Sequence, residues 1–161
     1  MFCKKIFFLM LFIISIQVSA ANLSFEAQKI REGLNLFYSA DYKGAISLLD
    51  EISALKLNTV AEYNLRGEYL VKIGEYHFDT MKYDNGKELF DLAIRDYDSA
   101  IKLAPKNFKA YKGRGMIYFD MQEYELAIEE LNKCIEIYPE LNAVNLRRHC
   151  DYMLHKTKAE K

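Results

Sequence analysis

Residues 105–139 read PKNFKAYKGRGMIYFDMQEYELAIEELNKCIEIYP, and this stretch decides the fold. Its two prolines are the only ones in the chain, and they stand 34 residues apart. Between them Tyr111, Gly115 and Tyr118 fall at i, i+4 and i+7, while Tyr124, Ala127, Ile128, Leu131, Cys134 and Ile135 form a second stripe at helical spacing. Two amphipathic helices therefore meet near Gln122. Gly115 and Ala127 are small where the two must approach closely. Pro139 stops the second helix, because proline lacks an amide donor and disfavours helical geometry in the residue before it.

The same register continues upstream. Phe90 and Tyr124, Ala93 and Ala127, Ile94 and Ile128, Tyr97 and Leu131, Ala100 and Cys134, and Ile101 and Ile135 are each 34 residues apart. Tyr63-Asn64-Leu65-Arg66-Gly67 repeats the start of the quoted unit, and a fainter copy runs through Gly33, Leu36, Tyr42, Ala45, Leu49 and Ile52. With Tyr111 to Tyr118 as a first helix and Tyr124 to Pro139 as a second, these residues resemble the tetratricopeptide repeat. Arg114 replaces the usual Leu, and Leu131 the usual aromatic. The resemblance implies an all-α fold, a right-handed α-solenoid of antiparallel helix pairs whose first helices line a concave groove.

Spacing sets the repeat boundaries. Gly33 to Tyr42 and Gly115 to Tyr124 are each nine residues, whereas Gly67 to Phe90 is 23, so the middle repeat carries an insertion. Three repeats at about 26–59, 60–107 and 108–141, with a capping helix at about 141–155 and a polar tail at 159–161, account for the chain after residue 20. A repeat cannot bury its apolar face alone, so this is close to the smallest stable solenoid. The insertion reads as about two extra turns on both middle helices, reversing at Asp84-Asn85-Gly86, where turn chemistry is strong. A broken helix with a short extra segment is the alternative. The lengthened hairpin is expected to project beyond its neighbours and leave Tyr76, Phe78, Met81 and Tyr83 as a secondary contact surface.

The first twenty residues stand apart from this pattern. Lys4 and Lys5 precede an unbroken apolar run from Ile6 to Ile14, and Val18-Ser19-Ala20 ends in small residues, the plan of a signal peptide cleaved after Ala20. Membrane contact is expected only through this segment, should it stay uncleaved. A bacterial periplasm fits best; secretion, an ER-type lumen or N-terminal anchoring are alternatives. The whole chain holds 22 basic against 23 acidic residues, and cleavage removes two lysines and no acid, so the mature chain is mildly acidic. Such a balance gives no footprint for nucleic acid.

Chemistry-bearing motifs are absent from the sequence: there is no nucleophile motif, phosphate-binding glycine loop or paired zinc-ligand motif. No enzyme activity, cofactor, metal or small-molecule substrate is expected. Cys134, His149, Cys150 and His155 could ligate a metal only if they converged, but positions 149, 150 and 155 diverge around a helix. Cys134 holds a small buried place and is expected to be free, since an antiparallel hairpin staggers it from Cys150 by about 7.5 Å along the axis; a Cys134–Cys150 disulfide across the last two helices, in an oxidising compartment, is the alternative. Arg66, Arg114 and Arg148 recur at matching places. They read either as a shared anion site or as long stems packed between helices, each with its own acid or carbonyl.

Function therefore reads as a non-enzymatic protein-protein interaction module, an adaptor or assembly factor of the cell envelope. An accessory subunit of an envelope enzyme or secretion complex is the alternative. The geometry of the resembled family turns Ile30, Leu34, Phe37 and Tyr38, then Asn64, Glu68, Val71 and Lys72, then Lys109, Lys112, Met116 and Phe119 toward the groove. That surface is apolar at one end and basic at the other, so the expected partner is an extended or helical protein segment with apolar anchors and some acidic residues. Family members that clamp a C-terminal carboxylate use basic and Asn residues, whereas the matching places here are Ile30, Leu34, Leu65, Lys109 and Gly113. Only Lys109 fits, so that activity is not carried over.

Overall fold

The computed structural model of the protein describes residues 23–80 and 83–159. The expected export signal in residues 1–20 lies outside the described residues, as do Met81 and the side chains of Phe78 and Tyr83. Every regular element among the described residues is a helix: α1 (Phe25–Tyr38), α2 (Tyr42–Ser47), α3 (Leu49–Ser53), α4 (Val60–Asp79), α5 (Tyr83–Leu103), α6 (Phe108–Asp120), α7 (Tyr124–Ile137) and α8 (Leu141–Ala159). They follow one another as antiparallel pairs: α1 with α2 and α3, α4 with α5, α6 with α7, and then α8 alone.

Local chemistry starts and stops these helices. Ser24 caps α1, its Oγ accepting the Ala27 amide at 3.1 Å and donating to Glu62 Oε1 at 2.6 Å, which ties the start of α1 to the start of α4. Glu62 also accepts the amides of Asn58 and Thr59, while Thr59 Oγ1 accepts the Glu62 amide, a reciprocal cap on α4. Burial pushes the Glu62 carboxyl up, but these bonds outweigh it and hold it below its ordinary range. The turns after α1 and α6 match: Ala40 and Gln122 have φ of 64° and 61°, and the next amide in each bonds back to Leu36 and Tyr118. This left-handed helix stop is one that non-glycine residues adopt at a cost of about 1–2 kcal/mol.

The insertion is a long hairpin. α4 and α5 have 20 and 21 residues against 13 and 14 for α6 and α7, about two turns more each. The reversal is not at Asp84-Asn85-Gly86, however. α5 already begins at Tyr83, so those residues form its first turn and the chain reverses between Asp79 and Tyr83. Gly86 is buried, and across from it the crossing depends on Gly74, where a Cβ would stand 2.7 Å from the Phe90 ring and 3.4 Å from the Gly86 carbonyl oxygen. A turn-forming Asn-Gly pair is equally at home where two helices must touch.

Of the expected secondary contact surface, Tyr76 is the side chain that is described, and it is half-buried. Tyr76 stacks on Tyr42 with centroids 4.8 Å apart, and Phe37 meets Tyr42 edge-on at 5.1 Å, so the end of the first pair shields Tyr76. On the opposite flank Met121 packs against the same core. One apolar cluster runs from α1 to α6 through Tyr69, Ile73 and Phe90, and a second joins α6, α7 and α8 through Leu131, Cys134 and Cys150. Both cysteines are unpaired and buried, and burial pushes each thiol up, that of Cys150 to about 11. Their place in the structure is packing.

The recurring arginines act as struts. Arg66 Nε and Nη2 donate to the two oxygens of Asp96 at 2.8 Å each, and Nη1 reaches the carbonyls of Ser53 and Leu55. Arg114 binds Glu130 and Asp98. Asp96 and Glu130 are themselves 34 residues apart, so arginine and acid recur together. Arg148 is exposed and shares no such site.

Candidate functional site

A cleft of about 350 Å³ opens between α1, α4 and α6. The three first helices place Tyr38 on one wall, Asn64, Glu68, Val71 and Lys72 along the middle, and Lys109, Lys112 and Met116 on the other wall. These eight were expected in the groove. The remaining four were not brought there: Ile30 and Leu34 are core residues with 0% and 5% exposure, and Phe37 is half-buried against the same core. Phe119 packs on Tyr124 and His149 beside α8.

The correction has a simple cause. Ile30 and Leu34 occupy the places held by Asn64 and Glu68 in the next repeat. An aliphatic side chain there gains about 1.5–3 kcal/mol by being covered, whereas the amide and carboxylate stay at the water-filled cleft.

One lining residue was missed, Tyr97, while Gly113, named above among the places that match the carboxylate-clamping members, lines the cleft as well. Tyr97 belongs to α5, an outer helix, yet its ring passes between α4 and α6 to the cleft floor. It can do so because neither neighbour has a side chain in the way: a Cβ on Gly67 would lie 2.7 Å from the ring and one on Gly113 only 2.3 Å. The sequence held a signal, since Gly113 stands where the preceding repeat has Leu65 and Tyr97 where the following one has Leu131. Burial pushes the Tyr97 phenol far up, so it stays neutral.

Hydrogen bonds set the polar pattern of the walls. Tyr38 donates its hydroxyl to Glu68 Oε1 at 2.7 Å. Partial burial, then that bond and the charges of Glu68 and Glu75, push this phenol up to about 12 and keep it a donor. At the lower end Asn64 and Asn107 exchange amide bonds of 3.0 and 3.4 Å. Among the described residues no group of His, Cys, Asp and Glu is placed to hold a metal, and no helix is long and apolar enough to cross a membrane.

Beyond the cleft, Asp120 at the end of α6 stands near Glu75 and Asp79 of α4. Desolvation, then the like charges of Glu75 and Asp79 against the opposing Lys72, push its carboxyl up to about 7. Asp120 nonetheless keeps much of its surface in water, so screening holds the stability effect to ~1 kcal/mol. A carboxyl raised in the folded state contributes fully to folding only below its ordinary value of 3.8 and loses that contribution as pH climbs from there through about 7. Asp120→Asn should therefore raise Tm by about 2–4 °C at about pH 8 and leave it unchanged at about pH 3. Equal gains at both pH values in a melting experiment would remove this assignment.

With the geometry in place, similarity to known proteins becomes informative. The segment from Phe108 to Leu141 matches the family described as Tetratricopeptide repeat. DnaJ homolog subfamily C member 3 from Rattus norvegicus is 30% identical over 113 residues, covering 70% of this chain and 20% of that relative, and the Homo sapiens protein gives the same figures. The chain thus spans about a fifth of the length of these curated relatives. Among solved structures, the first tetratricopeptide domain of Spaghetti (RPAP3) bound to HSP90 peptide SRMEEVD superposes with TM-score 0.55 at 23% identity, over 83% of this chain and 96% of that one. The Sgt2 tetratricopeptide domain from Aspergillus fumigatus gives 0.51 at 23% identity, over 84% and 81%. At these identities the likeness concerns the tetratricopeptide fold.

Proposed function

We propose that the chain is a non-enzymatic protein-interaction module that holds a segment of a partner protein in the cleft between α1, α4 and α6, and that it works in the cell envelope after losing residues 1–20. The observation that carries this reading is the cleft itself. Tyr38 and Met116 offer apolar surface between polar groups that fix orientation, which is how small recognition sites are built. The Spaghetti domain with the same fold is a structure with a bound HSP90 peptide, which supports a peptide as the class of ligand. Export rests on the Lys4-Lys5, apolar run and Val18-Ser19-Ala20 plan.

Site-specific photo-crosslinking in the native host tests both parts. A benzophenone side chain in place of Met116 should give a discrete protein adduct, and the same group in place of the outer, exposed Leu103 should not. Adding Tyr38→Ala and Lys109→Glu, both exposed positions, should cut the Met116 adduct about tenfold, the loss of ~1.4 kcal/mol, with circular dichroism unchanged. The recovered protein should weigh as a chain starting at Ala21 in the envelope fraction. Equal adducts from both positions would move the site off the cleft, and a chain retaining Met1 in the cytosol would end the export proposal.

A further inference from the structure

The three lysines lining the cleft are not equivalent. Lys72 Nζ donates to Glu75 Oε2 at 2.6 Å, one turn further along α4. Lys112 Nζ donates to both carboxylate oxygens of Glu140 at 2.9 Å, from the segment joining α7 to α8. The side chains of Lys112 and Glu140 are only 27% and 25% exposed, so water screens this pair weakly. Lys109 is exposed and makes no ion pair among the described residues. Glu68, between these lysines, is a carboxylate already engaged by Tyr38.

These pairings change what the cleft can accept. An incoming carboxylate at Lys112 or Lys72 must either displace the resident glutamate or lie beside it as a like charge. Only at Lys109 does it meet an ammonium with no acid of its own. The Asn64 and Asn107 amides, which could have held the two oxygens of a chain terminus, are bonded to each other. A single flexible side-chain carboxylate suits a single exposed ammonium better than a terminus that needs several fixed donors. One turn and more along α6 from Lys109, Met116 gives the wall an apolar, half-buried side chain.

Building on the reading of the cleft as a peptide site, we propose that it selects an internal segment with one side-chain carboxylate seated at Lys109 and an apolar side chain against Met116 and Tyr38. Glu75 and Glu140 act as specificity residues that reject runs of acidic residues. The groove is thus less basic than its lysine count suggests, and charge complementarity limits the partner to one anionic group.

The test is selection of a random ten-residue peptide library, displayed without a free C-terminus, on the protein as its host processes it. Enriched peptides are then titrated by fluorescence anisotropy. The expected winners carry one Asp or Glu next to apolar residues. Adding a second Glu should weaken binding about 3-fold, a size typical of one partly exposed charge pair, and Glu140→Gln should abolish that penalty. Lys109→Met should remove the preference for any acid. A peptide with its Glu changed to Gln and a free terminal carboxylate should bind more weakly than the parent. Winners rich in consecutive acids, winners without acid, a penalty untouched by Glu140→Gln, or a tighter terminal carboxylate would each overturn the inference. Failure to enrich any peptide would instead overturn the peptide reading on which it rests.

Discussion

Asp96→Ala is expected to lower the folding free energy by about 3–5 kcal/mol, the usual penalty for leaving one partner of a buried ion pair alone. The Asp96 side chain is 6% exposed and that of Arg66 14%, and the two share a two-pronged contact. Arg66 also holds the carbonyls of Ser53 and Leu55, so this one guanidinium joins the end of the first helix pair to both helices of the second. Losing the acid leaves a desolvated cation with two carbonyl partners only. Replacing both members, as Arg66→Met with Asp96→Leu, should cost less than Asp96→Ala alone, because no charge is then buried. Urea unfolding followed by circular dichroism measures both. A cost under about 1 kcal/mol for Asp96→Ala would place the pair with surface salt bridges.

Gly113→Ala should destabilise the protein by about 1–3 kcal/mol, the range for overpacking, although alanine in a helix interior ordinarily gains about 1 kcal/mol over glycine. Which effect wins depends on whether the obstacle can move. The new Cβ would lie 2.3 Å from Tyr97 Cζ, and the ring cannot retreat because Gly67 leaves no room on its other side. Tyr97 is also buried, with 5% exposure, so no open rotamer is at hand. Tyr97→Leu, which copies Leu131 of the next repeat, should offset much of the Gly113→Ala penalty and give a coupling of about 1–2 kcal/mol in a double-mutant cycle. A stabilised Gly113→Ala protein would mean that the slot is slack. Since Tyr97 floors the cleft, the same pair ties the stability of the second repeat to the shape of the candidate site.

Helices, their pairing and most of the cleft were legible in the sequence because they depend on local and periodic terms. Pro105 and Pro139, the small Gly115 and Ala127, and the 34-residue register set where helices stop and touch. The geometry of the resembled family, laid on that register, put Asn64, Glu68, Lys72, Lys109, Lys112 and Met116 on one surface, and these residues line the cleft. It failed at Ile30 and Leu34, where the position on the helix was right but the neighbouring helices cover the side chains.

What remained to tertiary structure concerns encounters between residues far apart in the chain. Hydrophobic period says which face of a helix is apolar, but not whether another element will reach across it. Tyr42 therefore shields Tyr76, and Tyr97 enters the cleft from an outer helix. Ion pairing is similarly invisible to composition: Lys112 and Glu140 are 28 residues apart, and only the fold makes them neighbours. By itself the sequence determined a helical repeat, because backbone geometry and apolar spacing act over a few residues at a time, and the groove entered with the resemblance that those residues carry. The tertiary structure decided where the long hairpin reverses, which side chains floor the groove and which of its lysines is open, because close packing and Coulomb attraction act on distance in space and not along the chain.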